Sequence, residues 1–258
     1  MALTRGWQTD LAVLQHTGSL VDDRFDHVII HSPENPTFHW GNFVLVTDRD
    51  AADDAARWVR VFRTEFPTAE HVSIGLPRMP AEASWDGTGL VINTDEVLFT
   101  ETLPEQRPLA QGYTARPFES DADWQAQIAL DAADNARTGA QEPVGYERFM
   151  RDQNRGRRRM VRAGVARWFG AFDADGTLTA SLGIVLCDDL ARFQAVGTDA
   201  EHRRRGLAGH LVGLAARWAG ERGATAWVIV TESTNPAGQL YRSVGFVPDA
   251  LQVAASHR

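Results

Sequence analysis

The chain has 258 residues, of which 43% are hydrophobic and 23% charged, and a formal net charge of −8. This composition is typical of a folded globular protein and excludes disordered, collagen-like and coiled-coil chains. The longest apolar runs fall short of the roughly 18 residues that a membrane-spanning helix needs, so no membrane partner is predicted.

Charge is divided unevenly along the chain. Residues 1–108 carry 8 arginines and 17 acidic residues, a net charge of −9, whereas residues 109–258 carry 18 arginines and 17 acidic residues. The acidic first half argues against general nucleic-acid binding, which needs a basic face. It is compatible with a cationic substrate, but such a charge taken alone is more often a solvated acidic surface that aids solubility.

The amino-terminal sequence and the cysteine count together predict the cellular compartment. The amino-terminal residues lack the basic and apolar pattern of a secretory signal. The single cysteine, Cys187, cannot form an internal disulfide, and the chain has no zinc-ligand spacing. We therefore expect a reducing, cytoplasmic location and no metal site.

The first half is predicted to alternate strands and helices. The predicted elements are a strand at Phe38–Val46, a helix at Asp53–Phe66, and strands at His71–Ile74, Gly89–Asn93 and Val97–Thr100. The turn at residues 47–54 contains four acidic residues and no glycine. Carboxylates at a helix N-terminus stabilise the helix but repel another anion, so no phosphate group is expected to bind there.

The second half follows a linker at residues 102–112, and turn residues separate its predicted elements. Its predicted strands are Tyr113–Phe118, Val165–Phe172, Leu178–Cys187, Leu190–Thr198, Ala226–Thr231 and Phe246–Val253, and its predicted helices begin at Ser120, Pro143, Leu207 and Pro236. Glycine and proline positions, hydrophobic periodicity and a D-A-D-G turn support these bounds. The order β-α-α-β-β-β-α-β-α-β predicts an α/β fold with a mixed sheet flanked by helices.

The segment between the fourth strand and the helix at Leu207 has the features of an anion site. Residues 198–209 contain three consecutive arginines followed by a glycine and small residues at the start of the helix. The first amides of a helix are unpaired donors with partial positive charge, and small residues allow close approach of a ligand. This pattern indicates a pyrophosphate site, although an arginine-rich turn taken alone is more often a solvated surface.

Two motifs in the second half resemble signatures of the GNAT superfamily of acyl-CoA-dependent N-acetyltransferases. The run R-x-x-G-x-A at residues 203–208 matches the family's Q/R-x-x-G-x-G/A signature, and N-x-A-x-x-L-Y-x-x-x-G-F at residues 235–246 matches a second signature. They occur in the expected order, separated by one helix and one strand. The resemblance implies a catalytic GNAT domain at residues 109–258. The similar strand-helix-strand order of residues 1–108 implies a degenerate GNAT-like domain without a CoA site, and thus a tandem arrangement.

The resemblance also implies which residues would bind acetyl-CoA. The loop that would hold the pyrophosphate comprises Arg203, Arg204, Arg205, Gly206, Leu207, Ala208 and Gly209. The strand edge at Val196 and Thr198 would pair with the pantetheine arm, and a strand amide there could stabilise the oxyanion. Asn235 would hydrogen-bond the co-substrate, and Tyr241 would protonate the departing thiolate.

The family pattern does not assign the general base, because the chain departs from it on the fourth strand. Some members carry a glutamate on the fourth strand where this chain has Arg192, and Gln194 on the same face cannot accept a proton either. Glu232, just after the fifth strand, is the nearest acidic candidate for the base. Asp199, Glu201, His202 and a chain of water molecules remain open as alternatives.

The second helix of this half, from Pro143, is rich in arginine. Its arginines are Arg148, Arg151, Arg155, Arg157, Arg158, Arg159 and Arg162, with Asp152 as the nearby acid. In this family the first two helices line the acceptor site. The pattern therefore indicates either recognition of an anionic group or a solvated, interface-forming surface.

The leading hypothesis is an N-acetyltransferase that transfers the acetyl group of acetyl-CoA directly to a primary amine of a small molecule or a peptide. Cys187 has no evident histidine partner, which disfavours a covalent acyl-enzyme. One alternative is a catalytically silent CoA-binding or regulatory module, favoured by the missing strand-four acid. Another is a GNAT transferase that uses a different acyl-CoA. Homodimers are common in the superfamily, and that arrangement is left open.

Overall fold

A computed structural model describes residues 3–139 and 141–257. The helices are α1 (Arg5–His16), α2 (Ala55–Glu65), α3 (Asp121–Thr138), α4 (Pro143–Arg162), α5 (Leu207–Gly220) and α6 (Ala237–Ser243). The strands are β1 (Leu20–Asp23), β2 (His27–His31), β3 (Phe43–Val46), β4 (Ser73–Leu76), β5 (Val91–Thr100), β6 (Thr114–Pro117), β7 (Ala166–Phe172), β8 (Leu178–Cys187), β9 (Leu190–Thr198), β10 (Ala226–Glu232) and β11 (Val247–Ser256). None of the helices in the described part of the chain has the length and apolarity needed to cross a bilayer.

The chain forms two compact units that are not contiguous in sequence. The first comprises the residues up to Val97, together with Val230–Asn235 and the residues from Pro248 onwards. The second comprises Leu98–Ile229 and Pro236–Val247. The predicted domain division at residue 108 remains a prediction.

The second unit contains a mixed sheet with strand order β6-β7-β8-β9-β10. Neighbouring strands are antiparallel from β6 to β9, whereas β9 and β10 are parallel. Apolar residues of α5 such as Leu211 and Ala215 pack against one face of this sheet, in a core that includes Ile184 and Phe193. On the opposite face Trp124 of α3 packs on Trp168 of β7, with 5.6 Å between ring centroids. The predicted element order and α/β class are confirmed.

Local sequence signals account for the helix ends in this unit. The Ser120 hydroxyl accepts a hydrogen bond from the backbone N–H of Asp123, and the Asp123 carboxylate accepts one from the Ser120 N–H, so α3 begins in a capping box. Pro143 occupies the first turn of α4, where its missing N–H costs nothing. Between β7 and β8, Gly176 adopts φ 80° in the predicted hairpin turn.

In the first unit the strand order is β1-β2-β3-β4-β11-β5. Strands β3 and β4 are parallel, and β11 runs antiparallel to β4. Trp58 and Phe62 of α2 are fully buried in a core with Val44 and Ile74. The final strand of the chain, predicted at Phe246–Val253, therefore lies mostly in the first unit, where it pairs with β4.

Several predicted elements of the first half are wrong in extent. The strand predicted at Phe38–Val46 begins only at Phe43, because the Asn42 side chain turns the preceding backbone: its amide donates to the carbonyls of Asn35 and Phe38 and accepts from the Ser32 N–H. The strands predicted at residues 89–93 and 97–100 are one continuous strand, β5. Helix α1 and strands β1 and β2 were not predicted.

The start of α3 depends on one buried carboxylate. Asp123, whose side chain is 5% exposed, accepts two hydrogen bonds from the Arg116 guanidinium at 2.7 and 3.0 Å and two from the backbone N–H groups of Glu119 and Ser120. These bonds, with that from Arg116 foremost, hold the pKa of Asp123 well below its usual range.

We predict that Asp123→Asn destabilises the protein by about 2 kcal/mol at pH 7. Because the folded-state pKa is lowered, the carboxylate's contribution is present above the ordinary aspartate pKa and is lost as the pH falls. Urea denaturation should therefore show the difference from wild type shrinking below about pH 4. Asp121→Asn, at an exposed acid in the same helical turn, is the control and should cost less than about 1 kcal/mol. Equal losses in the two variants would contradict the prediction.

Candidate functional site

Strand β9 leaves its parallel neighbour part of the way along its length. The parallel pairing of β9 with β10 ends with Val228 opposite Arg192, although β9 continues to Thr198. On its other side β9 pairs with β8 through a bulge between Ser181 and Gly183. Opposite this bulge Ala195 adopts φ 49°, a left-handed conformation uncommon for alanine. Residues 193–198, including Val196 and Thr198, therefore extend beyond the recorded β9–β10 ladder.

The loop after β9 is held in shape by short-range contacts. The Asp199 side chain accepts a hydrogen bond from the Glu201 N–H at 2.8 Å and caps a single 3-10 turn at Ala200–His202. The imidazole of His202 is hydrogen-bonded to the Tyr113 hydroxyl at 2.7 Å. These contacts fix the backbone immediately before the three arginines.

The next residues form a concave turn at the start of α5. Arg204 and Gly206 have φ of 63° and 78°, and α5 begins at Leu207. Left-handed residues in such a turn direct backbone N–H groups toward a common point and favour anion binding. A Cβ added at Gly206 would meet no atom within 4 Å, so glycine is required there by the backbone conformation and not by crowding.

Helix α5 begins without a side-chain cap. Gly206 is the N-cap residue, and the first bond into the helix runs from the His210 N–H to the Gly206 carbonyl at 3.0 Å. The N–H groups of Leu207, Ala208 and Gly209 precede that bond and have no partner within the helix. Together with the helix dipole, they suit a ligand with several negatively charged oxygens, such as a pyrophosphate.

The three arginines of the loop differ in their contacts. Arg203 donates to the Thr198 carbonyl at 3.2 Å and to the Asp134 carboxylate of α3 at 2.9 Å. Arg205 donates to the Glu201 carbonyl at 3.3 Å. For Arg204 no hydrogen bond or ion pair is found within the described residues. Arg204 is therefore the arginine best able to reach a phosphate, while the other two hold the loop.

Gly209 has a packing role that the sequence did not indicate. A Cβ at this position would lie 3.1 Å from the side chain of Arg107 in the linker. One turn later, a Cβ at Gly213 would lie 2.2 Å from the Gln106 backbone. The two glycines thus allow the linker to cross closely over α5. The missing side chain of Gly209 therefore makes room for the linker and not for a ligand. Its backbone N–H is still suited to ligand binding.

Tyr241 lies on the inner side of α6. The residue is 4% exposed and packs near Phe246, with 6.5 Å between ring centroids. Burial raises the pKa of its phenol to about 12. The hydroxyl is therefore protonated at neutral pH and able to donate a proton.

Glu232 and Asn235 belong to the first unit. Glu232 is exposed at the end of β10, and its carbonyl accepts a hydrogen bond from the Asn235 N–H at 2.9 Å. The intervening Ser233 hydroxyl donates to the Thr94 carbonyl of β5 at 2.9 Å. A tight turn thus fixes the two residues relative to each other.

The sequence analysis missed an ionisable group on α3. Burial raises the pKa of Asp131 to about 6, an effect partly opposed by the positive charge of Arg157 on α4. The pKa of Tyr146, also on α4, is raised by burial and by the negative charge of Asp131. Asp131 lies four residues after the buried Gln127, and that helical spacing was the available signal.

The corresponding turn in the first unit has a different chemistry. Between β3 and α2 the N-cap is Asp54, whose carboxylate accepts a hydrogen bond from the Arg57 N–H. Asp53 accepts hydrogen bonds from the Arg78 guanidinium and from the Ala81 N–H. A carboxylate therefore occupies the helix N-terminus that Gly206 leaves open in the second unit.

Solved structures similar to this chain include three acetyltransferase-type proteins. A GCN5-related N-acetyltransferase from Kribbella flavida is 17% identical, with a TM-score of 0.67 and coverage of 99% of this chain and 96% of the other. One from Sphaerobacter thermophilus is 18% identical, with a TM-score of 0.59 and coverage of 90% and 80%. A tandem GNAT protein from the clavulanic acid biosynthesis pathway is 13% identical, with a TM-score of 0.59 and coverage of 97% and 93%. At these identities the likeness shows the fold alone.

Sequence comparison locates the family within the chain. No curated protein sequence matches it significantly. A family model described as "Acetyltransferase (GNAT) family" matches residues 130–246, which include both predicted signatures, the loop before α5 and Tyr241. Within the described residues no group of histidine, cysteine and acidic side chains could hold a metal ion. Residues 130–246 therefore match a GNAT acetyltransferase domain, and the chain has the GNAT fold.

Proposed function

We propose that the protein transfers the acetyl group of acetyl-CoA directly to a primary amine of a small molecule or a peptide. The observation that carries this proposal is the uncapped start of α5, where Gly206 turns the backbone and N–H groups precede the first helical bond. This arrangement fits a pyrophosphate, as acyl-CoA requires. Bound acetyl-CoA would supply an activated thioester.

The chain would hold the rest of the co-substrate through β9. The backbone of residues 193–198 extends past the recorded pairing with β10 and can pair with an extended amide-containing arm. An N–H group near the Ala195 bulge would stabilise negative charge that develops on the thioester oxygen. Holding donor and acceptor side by side would supply much of the rate enhancement.

Tyr241 is proposed as the general acid. Its phenol stays protonated at neutral pH, because burial raises its pKa to about 12. A departing thiolate would take this proton more readily than one from bulk water, provided the hydroxyl lies within hydrogen-bonding distance. Asn235 remains the proposed contact to the co-substrate near the end of β10.

We propose further that the first unit binds no acyl-CoA. The turn before α2 is capped by Asp54, and the neighbouring Asp53 is bonded to Arg78. A pyrophosphate at this position would meet carboxylates instead of free N–H groups. One acetyl-CoA per chain is therefore expected.

We predict that Gly206→Glu abolishes acetyl-CoA binding measured by calorimetric titration, whereas the native protein binds one equivalent. The substitution places a carboxylate where the phosphates would lie and disfavours the left-handed turn. Gly223→Glu is the matched control, because Gly223 also has a positive φ of 97° with no atom within 4 Å of an added Cβ, but follows the opposite end of α5. This variant should retain binding.

Other results of the same titration would contradict the proposal in distinct ways. Two equivalents per chain would show that the first unit also binds. Absence of heat with acetyl-CoA, but binding of a longer acyl-CoA, would change the donor. Binding without turnover on a broad panel of amines would indicate a silent CoA-binding module.

We predict that Tyr241→Phe lowers kcat about 100-fold and leaves the Kd for acetyl-CoA within about threefold. The phenyl ring preserves the packing near Phe246, so a loss of activity would report the hydroxyl. Because the pKa of the phenol is raised, wild-type kcat should show no decline from this group between pH 7 and 10. A wild-type decline near pH 10 that disappears in the variant would contradict the raised pKa, and an unchanged kcat would exclude the acid role.

Glu232 is proposed as the general base. We predict that Glu232→Gln lowers kcat/KM about 100-fold at pH 7. Glu221→Gln, at an acidic residue just after α5, should behave as wild type. A normal rate in the Glu232 variant would transfer the role to a loop residue or to a water chain.

A further inference from the structure

In the second unit, polar side chains lie between helices α3 and α4 and one face of the sheet. Alternation along each strand and the strand register place Trp168, Gly183 and Val185 on this face, together with Arg192 and Gln194. Trp168 lies against Trp124 of α3. The guanidinium carbon of Arg157 on α4 is 5.7 Å from the centroid of the Trp168 ring. We call the set Gln127, Asp131, Tyr146, Arg157, Trp168 and Arg192 the polar layer.

Two members of the polar layer have unsatisfied hydrogen-bonding groups. Gln127 is 0% exposed, and within the described residues neither its Nε2 nor its Oε1 has a partner. The buried Nε1 of Trp168 also lacks one there. Leaving such groups unpaired is costly, so native proteins normally satisfy them with protein, solvent or ligand. Gln127 lies one helical turn before Asp131 on the inner side of α3.

The polar layer contains charged side chains of both signs. Arg157 donates to the Asn154 side chain at 3.0 Å and is attracted to Asp131, but no direct ion pair joins Arg157 and Asp131 in the described part of the chain. Arg192 is 7% exposed and adds a second guanidinium on the sheet side. Arg157 and Asp131 thus lie in the polar layer as opposite charges without a direct ion pair between them within the described residues. Such a set favours a ligand that carries a negative group beside a positive one.

The polar layer is accessible in part. Asp131, Tyr146 and Arg157 each retain intermediate exposure although burial shifts their pKa values. On the same face of β9, after the bulge, a Cβ added at Gly197 would meet no atom within 4 Å. In contrast, a Cβ added at Gly183 would lie 2.3 Å from the Trp168 ring. There is therefore open space beside the part of β9 that extends past the β10 pairing.

We propose that the polar layer binds the acceptor and that the acceptor is an amine that also carries a carboxylate, an amino acid in its chemistry. Arg157 holds the carboxylate, Asp131 holds the ammonium group, and the Gln127 amide pairs with either. This inference rests on the proposed acetyl transfer and narrows its substrate class. A bare amine would leave the desolvated Arg157 guanidinium without a negative partner from the ligand.

The test compares matched acceptors with the full chain and acetyl-CoA, following release of the CoA thiol. The probes are the standard amino acids, each paired with the amine formed by removing its carboxylate. At least one amino acid should be acetylated with a kcat/KM more than about tenfold above that of its amine counterpart, because the amine loses the charge-assisted bonds to Arg157.

Variants separate recognition from folding. Arg157→Gln should raise the KM for that amino acid about 10- to 100-fold with little effect on the matched amine, and Arg157→Lys should recover part of the preference because it keeps the charge. Asp131→Asn should raise the KM for both, since both carry the ammonium group. Arg148→Gln, at an exposed arginine of the same helix, is the control and should match wild type. Calorimetry should give an unchanged Kd for acetyl-CoA in every variant.

Defined results would overturn this inference. They are acetylation of bare amines as fast as that of amino acids, an equal response of the Arg157 and Arg148 variants, or acetyl-CoA binding without acetylation of any amino acid. Each of these leaves acetyl-CoA binding intact. Failure of the wild-type protein to bind acetyl-CoA would overturn the proposed function itself.

Discussion

The candidate site depends on the early end of the parallel pairing between β9 and β10. Parallel neighbours in a closed sheet satisfy each other's backbone groups along their length, which leaves no place for a ligand to add hydrogen bonds. Here the recorded ladder stops at Arg192, and the bulge opposite Ser181–Gly183 forces Ala195 into a left-handed conformation. Such a residue costs of order 1 kcal/mol. The cost is consistent with a bent strand that provides both a free edge and a displaced N–H group.

The end of β9 also determines where α5 begins, and the loop between them is linked to α3. Arg203 bonds to the Thr198 carbonyl at the end of β9 and to Asp134 on α3. Asp134 lies one turn after Asp131. The loop before α5 and the polar layer are therefore positioned by neighbouring turns of one helix. A change in α3 that shifts Asp134 would be expected to disturb both, through a single ion pair.

The elements of the second half were predictable because their signals are local. Ser120, Pro143 and the D-A-D-G turn act within a few residues, and the β8 and β9 bounds agree with the sequence prediction. In the first half, Asn42 overrides a strand-like run through side-chain hydrogen bonds to residues as far away as Ser32, and sequence alone does not show which partners are in reach. Arg192 was recognised as a departure from the family pattern, but its association with Arg157 and Asp131 on one sheet face depends on strand register and on packing of α3 and α4. Asp131 was missed for the same reason, because an acid on an amphipathic helix is usually solvated.

Two strand-turn-helix segments in this chain show how little of the anion site comes from the fold itself. Both β3–α2 and β9–α5 join parallel strands through a turn that starts a helix, and both helices present N–H groups at that point. In the first, Asp54 accepts the Arg57 N–H, so the helix N-terminus is satisfied from within the chain. In the second, Gly206 has no side chain to do so, and it adopts a left-handed backbone conformation. The dipole is equal in kind at both sites, so the chemistry of the cap residue decides which helix can accept an external anion. The difference between the two turns therefore lies in the N-cap residue: an acidic residue satisfies an N–H group of its helix from within the chain, whereas a glycine leaves those groups available to a ligand.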